Sequence, residues 1–228
     1  MADMPRSRRR RTAPCRSVGG LLRPIEAPDA TQERDEPMRL LALGGSLREA
    51  SRNRALLDEA TAVAPAGSNL DLSQLTLIGS LPLFNQDVLE RDGLPPVVME
   101  LKDSLRAADG LLIATPEYNW GIPGFLKNAI DWASRPASDI PQVFGDLPVA
   151  LIGAGGGAGT RFAQNAWLSV FRFLKMRPWF GQSLYVDRAH ERFDEDNRLT
   201  DEATREQLRA VVTGFAAHCA QLPRVRPS

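Results

Sequence analysis

Residues 39–53 read Arg39-Leu40-Leu41-Ala42-Leu43-Gly44-Gly45-Ser46-Leu47-Arg48-Glu49-Ala50-Ser51-Arg52-Asn53, and the architecture of the chain unfolds from them. The apolar run Arg39 to Leu43 has the length and composition of a buried strand. A small polar loop follows it and opens into a helix predicted over Asn53 to Ala64. Strand, glycine-bearing loop and helix N-terminus in succession make an anion-binding arrangement. The glycines let backbone approach a ligand closely, and the helix start offers unpaired N–H groups at its positive dipole end. Ser46, Arg48, Ser51 and Asn53 add side-chain donors suited to a phosphate monoester. The alternative reading is that Ser46 or Ser51 simply caps the helix. The loop has neither the closing Gly-Lys-Ser/Thr of a P-loop nor the G-x-G-x-x-G of a dinucleotide fold, which disfavours ATP and pyrophosphate.

Working outward, the same alternation repeats. Candidate strands lie at Asn69 to Leu75, Gly110 to Ala114 (GLLIA), Pro148 to Gly153 (PVALIG) and Ser183 to Val186. Candidate helices lie at Val97 to Ala108, Pro123 to Ser134, Phe162 to Met176 and Asp201 to Cys219, with Pro123 placed at a first-turn position. Five such βα units predict an α/β class domain, a doubly wound five-stranded parallel sheet of order 2-1-3-4-5 with helices on both faces. In that order strands one and three flank the switch point, and the loops at their C-terminal ends form the ligand crevice.

The loop after the third strand is Thr115-Pro116-Glu117-Tyr118-Asn119-Trp120-Gly121-Ile122-Pro123-Gly124. Its prolines stiffen it, Tyr118 and Trp120 offer flat faces, and Asn119 with the backbone offers hydrogen bonds to a heterocycle edge. An ordinary βα turn is the competing reading. After the fourth strand comes Gly153-Ala154-Gly155-Gly156-Gly157-Ala158-Gly159-Thr160, whose N–H groups are expected to approach the far end of the same ligand. Plain glycine flexibility is the competing reading.

The 228 residues are 43% hydrophobic and 25% charged, the balance of an ordinary domain with a closed core. Basic and acidic side chains number 28 each, so no net field draws the chain to nucleic acid or to an anionic membrane. Cys15 and Cys219 are the only cysteines, and His190 and His218 the only histidines, which leaves no disulfide framework or metal-site spacing. This usage points to a reducing, cytoplasmic setting. Residues 1–37 mix arginines at 8–11 with prolines and acids and are expected to form a disordered extension. Residues 38–220 are the domain and 221–228 a C-terminal tail. No apolar run of about 7–15 residues follows Arg16 to make a secretory signal.

With the three loops in view, the chain resembles the NADPH-dependent FMN reductase family, which includes quinone, chromate and azo-dye reductases and ArsH-type proteins. The resemblance runs from about Met38 to Cys219. It is carried by GSLREASRN, similar to G-S-x-R-x-x-S-x-N, and by PEYNWGIPGFLKNAIDW, similar to P-E-Y-N…P-G-x-L-K-N-A-I-D-W. The resemblance implies a flavodoxin-like fold, FMN as cofactor and NADPH or NADH as co-substrate. It assigns Ser46, Arg48, Ser51 and Asn53 to the FMN phosphate, and Pro116, Glu117, Tyr118 and Asn119 to the isoalloxazine ring and ribityl side. Gly155, Gly156 and Gly157 would lie near the ring. No catalytic side chain is implied, because hydride chemistry belongs to the flavin. Family members assemble as homodimers or homotetramers, so Leu83-Phe84-Asn85-Gln86-Asp87 is expected to border a partner's flavin. Trp120, at a position where members vary, is expected to tune acceptor access. Lys127, Asp131 and Trp132 are expected to pack the helix or a subunit contact. A flavodoxin-type carrier without its own NAD(P)H oxidation is the competing function, and the neutral charge argues against it.

Overall fold

The computed structural model describes residues 37–225. The expected N-terminal extension therefore lies outside the described residues apart from Pro37, as do Cys15 and residues 226–228. In chain order the strands and α-helices are β1 (Met38–Gly44), α1 (Arg52–Ala62), β2 (Ser68–Asp71), α2 (Gln74–Leu77), α3 (Gln86–Asp92), α4 (Pro96–Ala107), β3 (Gly110–Ala114), α5 (Gly124–Ala133), α6 (Ile140–Val143), β4 (Pro148–Ala154), α7 (Arg161–Leu174), β5 (Arg177–Pro178), β6 (Leu184–Val186) and α8 (Glu202–Gln221).

All pairings are parallel, and the order is β2-β1-β3-β4-β5, with β6 also on β4. The expected order is present, but the fifth strand comes in two pieces. Arg177 and Pro178 pair with the start of β4, and Leu184 to Val186 with its end. Pro178 contributes no N–H to a ladder and is tolerated because this is the sheet edge. The second strand stops at Asp71 and not at Leu75. The Asp71 carboxylate accepts the Ser73 N–H at 2.8 Å, turning the chain into the short α2.

Alternation along the strands sorts the core into two layers. Leu40 and Ala42 of β1, Leu112 and Ala114 of β3, and Ala150 and Ile152 of β4 face α1 and α8, where Leu56, Leu57, Val212, Phe215 and Cys219 close the layer. Leu41, Leu43, Leu111, Ile113 and Val149 face the other way, against Leu101 and Leu105 of α4, Leu126 and Ile130 of α5, and Trp167 and Phe171 of α7. The register pairs Leu40 with Gly110 and Gly44 with Ala114, so both faces stay continuous across strands. Each buried Leu, Ile or Phe side chain contributes about 1.5–3 kcal/mol.

Two local corrections concern helix ends. Pro123 is the residue before α5, in extended conformation, and Gly124 is the first helical residue. The domain boundary expected at residue 220 falls inside α8. Beyond it Arg224 is buried, its guanidinium donating to the carbonyls of Leu105, Gln142 and Gly145 at 2.7–3.1 Å. Arg224 therefore anchors this otherwise exposed segment to the domain. Among the described residues, no helix is long and apolar enough to cross a membrane.

Candidate active site

The first loop leaves β1 at Gly44. Gly45 donates its N–H to the Ala114 carbonyl at 2.8 Å, which draws the loop against the end of β3. A Cβ at Gly45 would sit 2.6 Å from Pro116, so only glycine allows the first two loops to touch here. Ser46 Oγ accepts the Arg48 N–H at 3.4 Å, and Ser51 Oγ caps α1 by accepting the Arg54 N–H at 3.2 Å. Capping, the alternative reading of Ser51, is therefore what its hydroxyl does in this structure.

Asn53 is buried, and both ends of its amide are engaged by one residue. Its Nδ2 donates to the Ala154 carbonyl and its Oδ1 accepts the Ala154 N–H, each at 2.9 Å. The amide thereby ties the first turn of α1 to the end of β4. From the opposite side, Asn197 Nδ2 donates to the Ser51 carbonyl at 3.1 Å. The geometry of the first loop is thus held by two remote clips.

In the second loop, Tyr118 and Gly121 exchange two backbone hydrogen bonds across Asn119 and Trp120, whose φ angles are 50° and 62°. This is a two-residue hairpin of the mirror-image kind. Asn suits such a turn, whereas the left-handed conformation at Trp120 costs about 1–2 kcal/mol. Glu117 was expected at the ring. It lines the cleft, and its Oε2 accepts the N–H groups of Phe162 and Ala163 at 2.8 and 3.0 Å, capping α7, whose own Thr160 provides no side-chain cap. The cap joins the second loop to the third. Replacing Glu117 by alanine is expected to cost about 1–2 kcal/mol, seen as a lower denaturation midpoint.

The third loop is also committed to backbone partners. Gly155 donates to the Val186 carbonyl and accepts the Ala189 N–H, both at 2.9 Å, so its N–H is not free for a ligand as expected. A Cβ there would meet the Gly159 carbonyl oxygen at 2.3 Å. Gly156 and Gly157 are exposed, with open space around them.

These loops enclose a cleft of about 190 Å³ lined by Ser46, Arg48, Ala50, Ser51, Arg52, Asn53, Pro116, Glu117, Tyr118, Ala154, Gly155 and Ala189. Of the expected site residues, Asn119 stands at the hairpin tip and Gly156 and Gly157 in the open loop; these three are outside the lining. Ala189, from the turn after β6, was missed, and an alanine carries no signal that would have found it. Arg52 is more telling: its Nε is buried with no hydrogen-bond partner. One end of the cleft therefore combines the α1 N-terminus, a hydroxyl and two guanidinium groups. The other end offers Pro116, the half-exposed Tyr118 ring and a glycine backbone. A phosphate-tailed flat ring system fits this donor set.

Below the cleft, Asn128 and Trp132 of α5 both donate to the Pro82 carbonyl, at 2.9 and 2.8 Å, and Asn128 accepts the Phe84 N–H at 2.7 Å. Lys127 and Asp131 form an ion pair at 2.6 Å. Asn128 and Trp132 hold the 82–84 strip upon the helix, while Leu83 stays 83% exposed.

Residues 38–191 match the family model for NADPH-dependent FMN reductase. The chain belongs to the NADPH-dependent FMN reductase family. An NAD(P)H-dependent FMN reductase from Pseudomonas aeruginosa is 40% identical over 174 residues, covering 76% of this chain and 90% of the relative. A 2-hydroxy-1,4-benzoquinone reductase from a Burkholderia species is 36% identical over 181 residues, covering 79% and 95%. Among solved structures, the flavoenzyme NAD(P)H:(acceptor) oxidoreductase FerB from Paracoccus denitrificans superposes with a TM-score of 0.71 at 30% identity, covering 82% of this chain and 99% of that one. Membership makes this family protein an oxidoreductase of flavodoxin-like fold.

Proposed function

We propose that this protein is an NAD(P)H-dependent FMN reductase that passes two electrons to a small acceptor of the quinone, azo, metal-oxyanion or free-flavin type. The observation that supports it most is the cleft itself. Its α1 N-terminus, Ser46, Arg48 and unpartnered Arg52 face the flat Tyr118 platform at the switch point of the sheet.

FMN held in this cleft would supply the hydride and electron chemistry of the reaction. The chain's own residues bind and orient. Arg48, Arg52, Ser46 and the first N–H groups of α1 neutralise and hold the phosphate. Ser51 and Asn53 fix that loop from within. Pro116 and Tyr118 would hold the ring system, and Glu117 locks their loop to α7. Gly155 brings backbone close on the far side. No acid or base side chain is required.

The test is anaerobic mixing of holoprotein with NADPH and with NADH. Rapid bleaching of the flavin's visible band is the expected result. An unchanged spectrum in both would make it a flavodoxin-type carrier or sensor, and protein that stays colourless after reconstitution with FMN would be a non-catalytic binding module. A homodimer or homotetramer in the cytoplasm accompanies this reading, with the exposed Leu83 strip near a subunit boundary; sedimentation of the purified protein tests the assembly.

A further inference from the structure

Two aromatic side chains, Trp120 and Phe162, stand outside the lining of the cleft. Trp120 is 72% exposed and Phe162 44% exposed, yet the two are ordered against each other, ring centroids 5.0 Å apart and planes 32° from parallel. Phe162 is fixed twice by the second loop: Glu117 accepts its N–H at 2.8 Å, and Trp120 covers its ring. The indole is therefore held in place and is not a loosely tethered surface group.

The turn itself does not call for this residue. Trp120 occupies a left-handed position at φ 62°, where glycine or asparagine carries no steric penalty, and Gly121 and Asn119 flank it. A large apolar ring in strained backbone, exposed to water, gains nothing for the fold comparable with what it loses. One face of the indole lies toward Phe162. The hairpin that carries it also carries Tyr118 in the cleft wall, so the pair stands beside the cleft, with Trp120 two residues from its lining.

We propose that Trp120, backed by Phe162, is a stacking shelf for the ring of the electron acceptor, and so a specificity-determining residue that favours planar aromatic acceptors over compact ions. The inference rests on the reductase reading above and adds an acceptor class to it. A flat quinone gains from offset stacking on the indole, whereas ferricyanide has no plane to present.

The first measurement needs no turnover. 2-Methyl-1,4-naphthoquinone is titrated calorimetrically into oxidised holoprotein of the wild type, Trp120→Gly and Trp120→Tyr. Glycine suits the turn, so the first variant folds with its hairpin relaxed; tyrosine restores a flat ring. The dissociation constant is expected to rise about 3- to 10-fold in Trp120→Gly and to recover largely in Trp120→Tyr. In turnover, the ratio of kcat/KM for the naphthoquinone to that for ferricyanide should fall by a similar factor, while the rate of flavin reduction by NAD(P)H should not follow it. An unchanged dissociation constant, or an equal loss toward both acceptors, overturns the proposal. A matching loss in the flavin-reduction step assigns the shelf to the nicotinamide and overturns it too. So does a smaller sedimentation coefficient for Trp120→Gly, which makes the patch a contact with a second copy of the chain. If neither nicotinamide reduces the holoprotein, the reductase reading fails, and the calorimetric titration still decides the shelf.

Discussion

Replacing Asn53 by alanine is expected to destabilise the protein by about 2–5 kcal/mol. Both hydrogen bonds to Ala154 vanish at once, leaving its N–H and carbonyl without their partner in a buried setting. Each deserted group costs about 1–3 kcal/mol when water cannot replace the partner. The readout is the midpoint of urea unfolding at unchanged slope, since the lost contacts are local and the exposed surface stays the same. Asn53→Asp should behave almost as badly, because a carboxylate keeps an acceptor for the Ala154 N–H but faces the Ala154 carbonyl with no donor. A loss below about 0.5 kcal/mol for Asn53→Ala, the range of ordinary surface changes, would show that the clip does not hold α1 to β4.

Arg48→Ala should separate binding from folding. Arg48 is exposed in the first loop, so the FMN-free protein is expected to unfold within about 0.5 kcal/mol of the wild type. Its FMN dissociation constant, followed by the quenching of flavin fluorescence, should rise about 10- to 150-fold. That corresponds to about 1.5–3 kcal/mol for a charge-assisted hydrogen bond to phosphate. Arg48→Lys should recover only part of this, since an ammonium keeps the charge and loses the planar fork. Raising the salt concentration should weaken wild-type binding more than that of Arg48→Ala. Wild-type affinity in the alanine variant would remove Arg48 from the phosphate site.

The contrast between these residues shows how far sequence reading reaches. Arg48 and Asn53 stand in one short polar loop, and their pattern alone reads as an anion site. The pattern cannot say which side chain turns outward. An amide has the same donors and acceptors whether it meets a phosphate or a peptide group, and the peptide group it meets lies 101 residues away. Glu117 repeats the point. Its carboxylate belongs to a ligand-platform motif, and it caps a helix 45 residues further on, because the unpaired N–H groups of α7 happen to arrive beside it.

What the amino-acid order determined by itself was everything governed by short-range periodicity and turn chemistry. The continuous apolar run Leu40 to Leu43 marked a buried strand, and loop composition placed the polar turns after β1 and β3, which the parallel order brings side by side. Only the tertiary structure decided the partners of Asn53, Glu117 and Gly155, the entry of Ala189 into the cleft wall and the break of the edge strand at Pro178. Those outcomes depend on which atoms distant segments bring within about 3 Å of one another, and hydrogen-bond satisfaction at that range is settled by packing and not by local pattern.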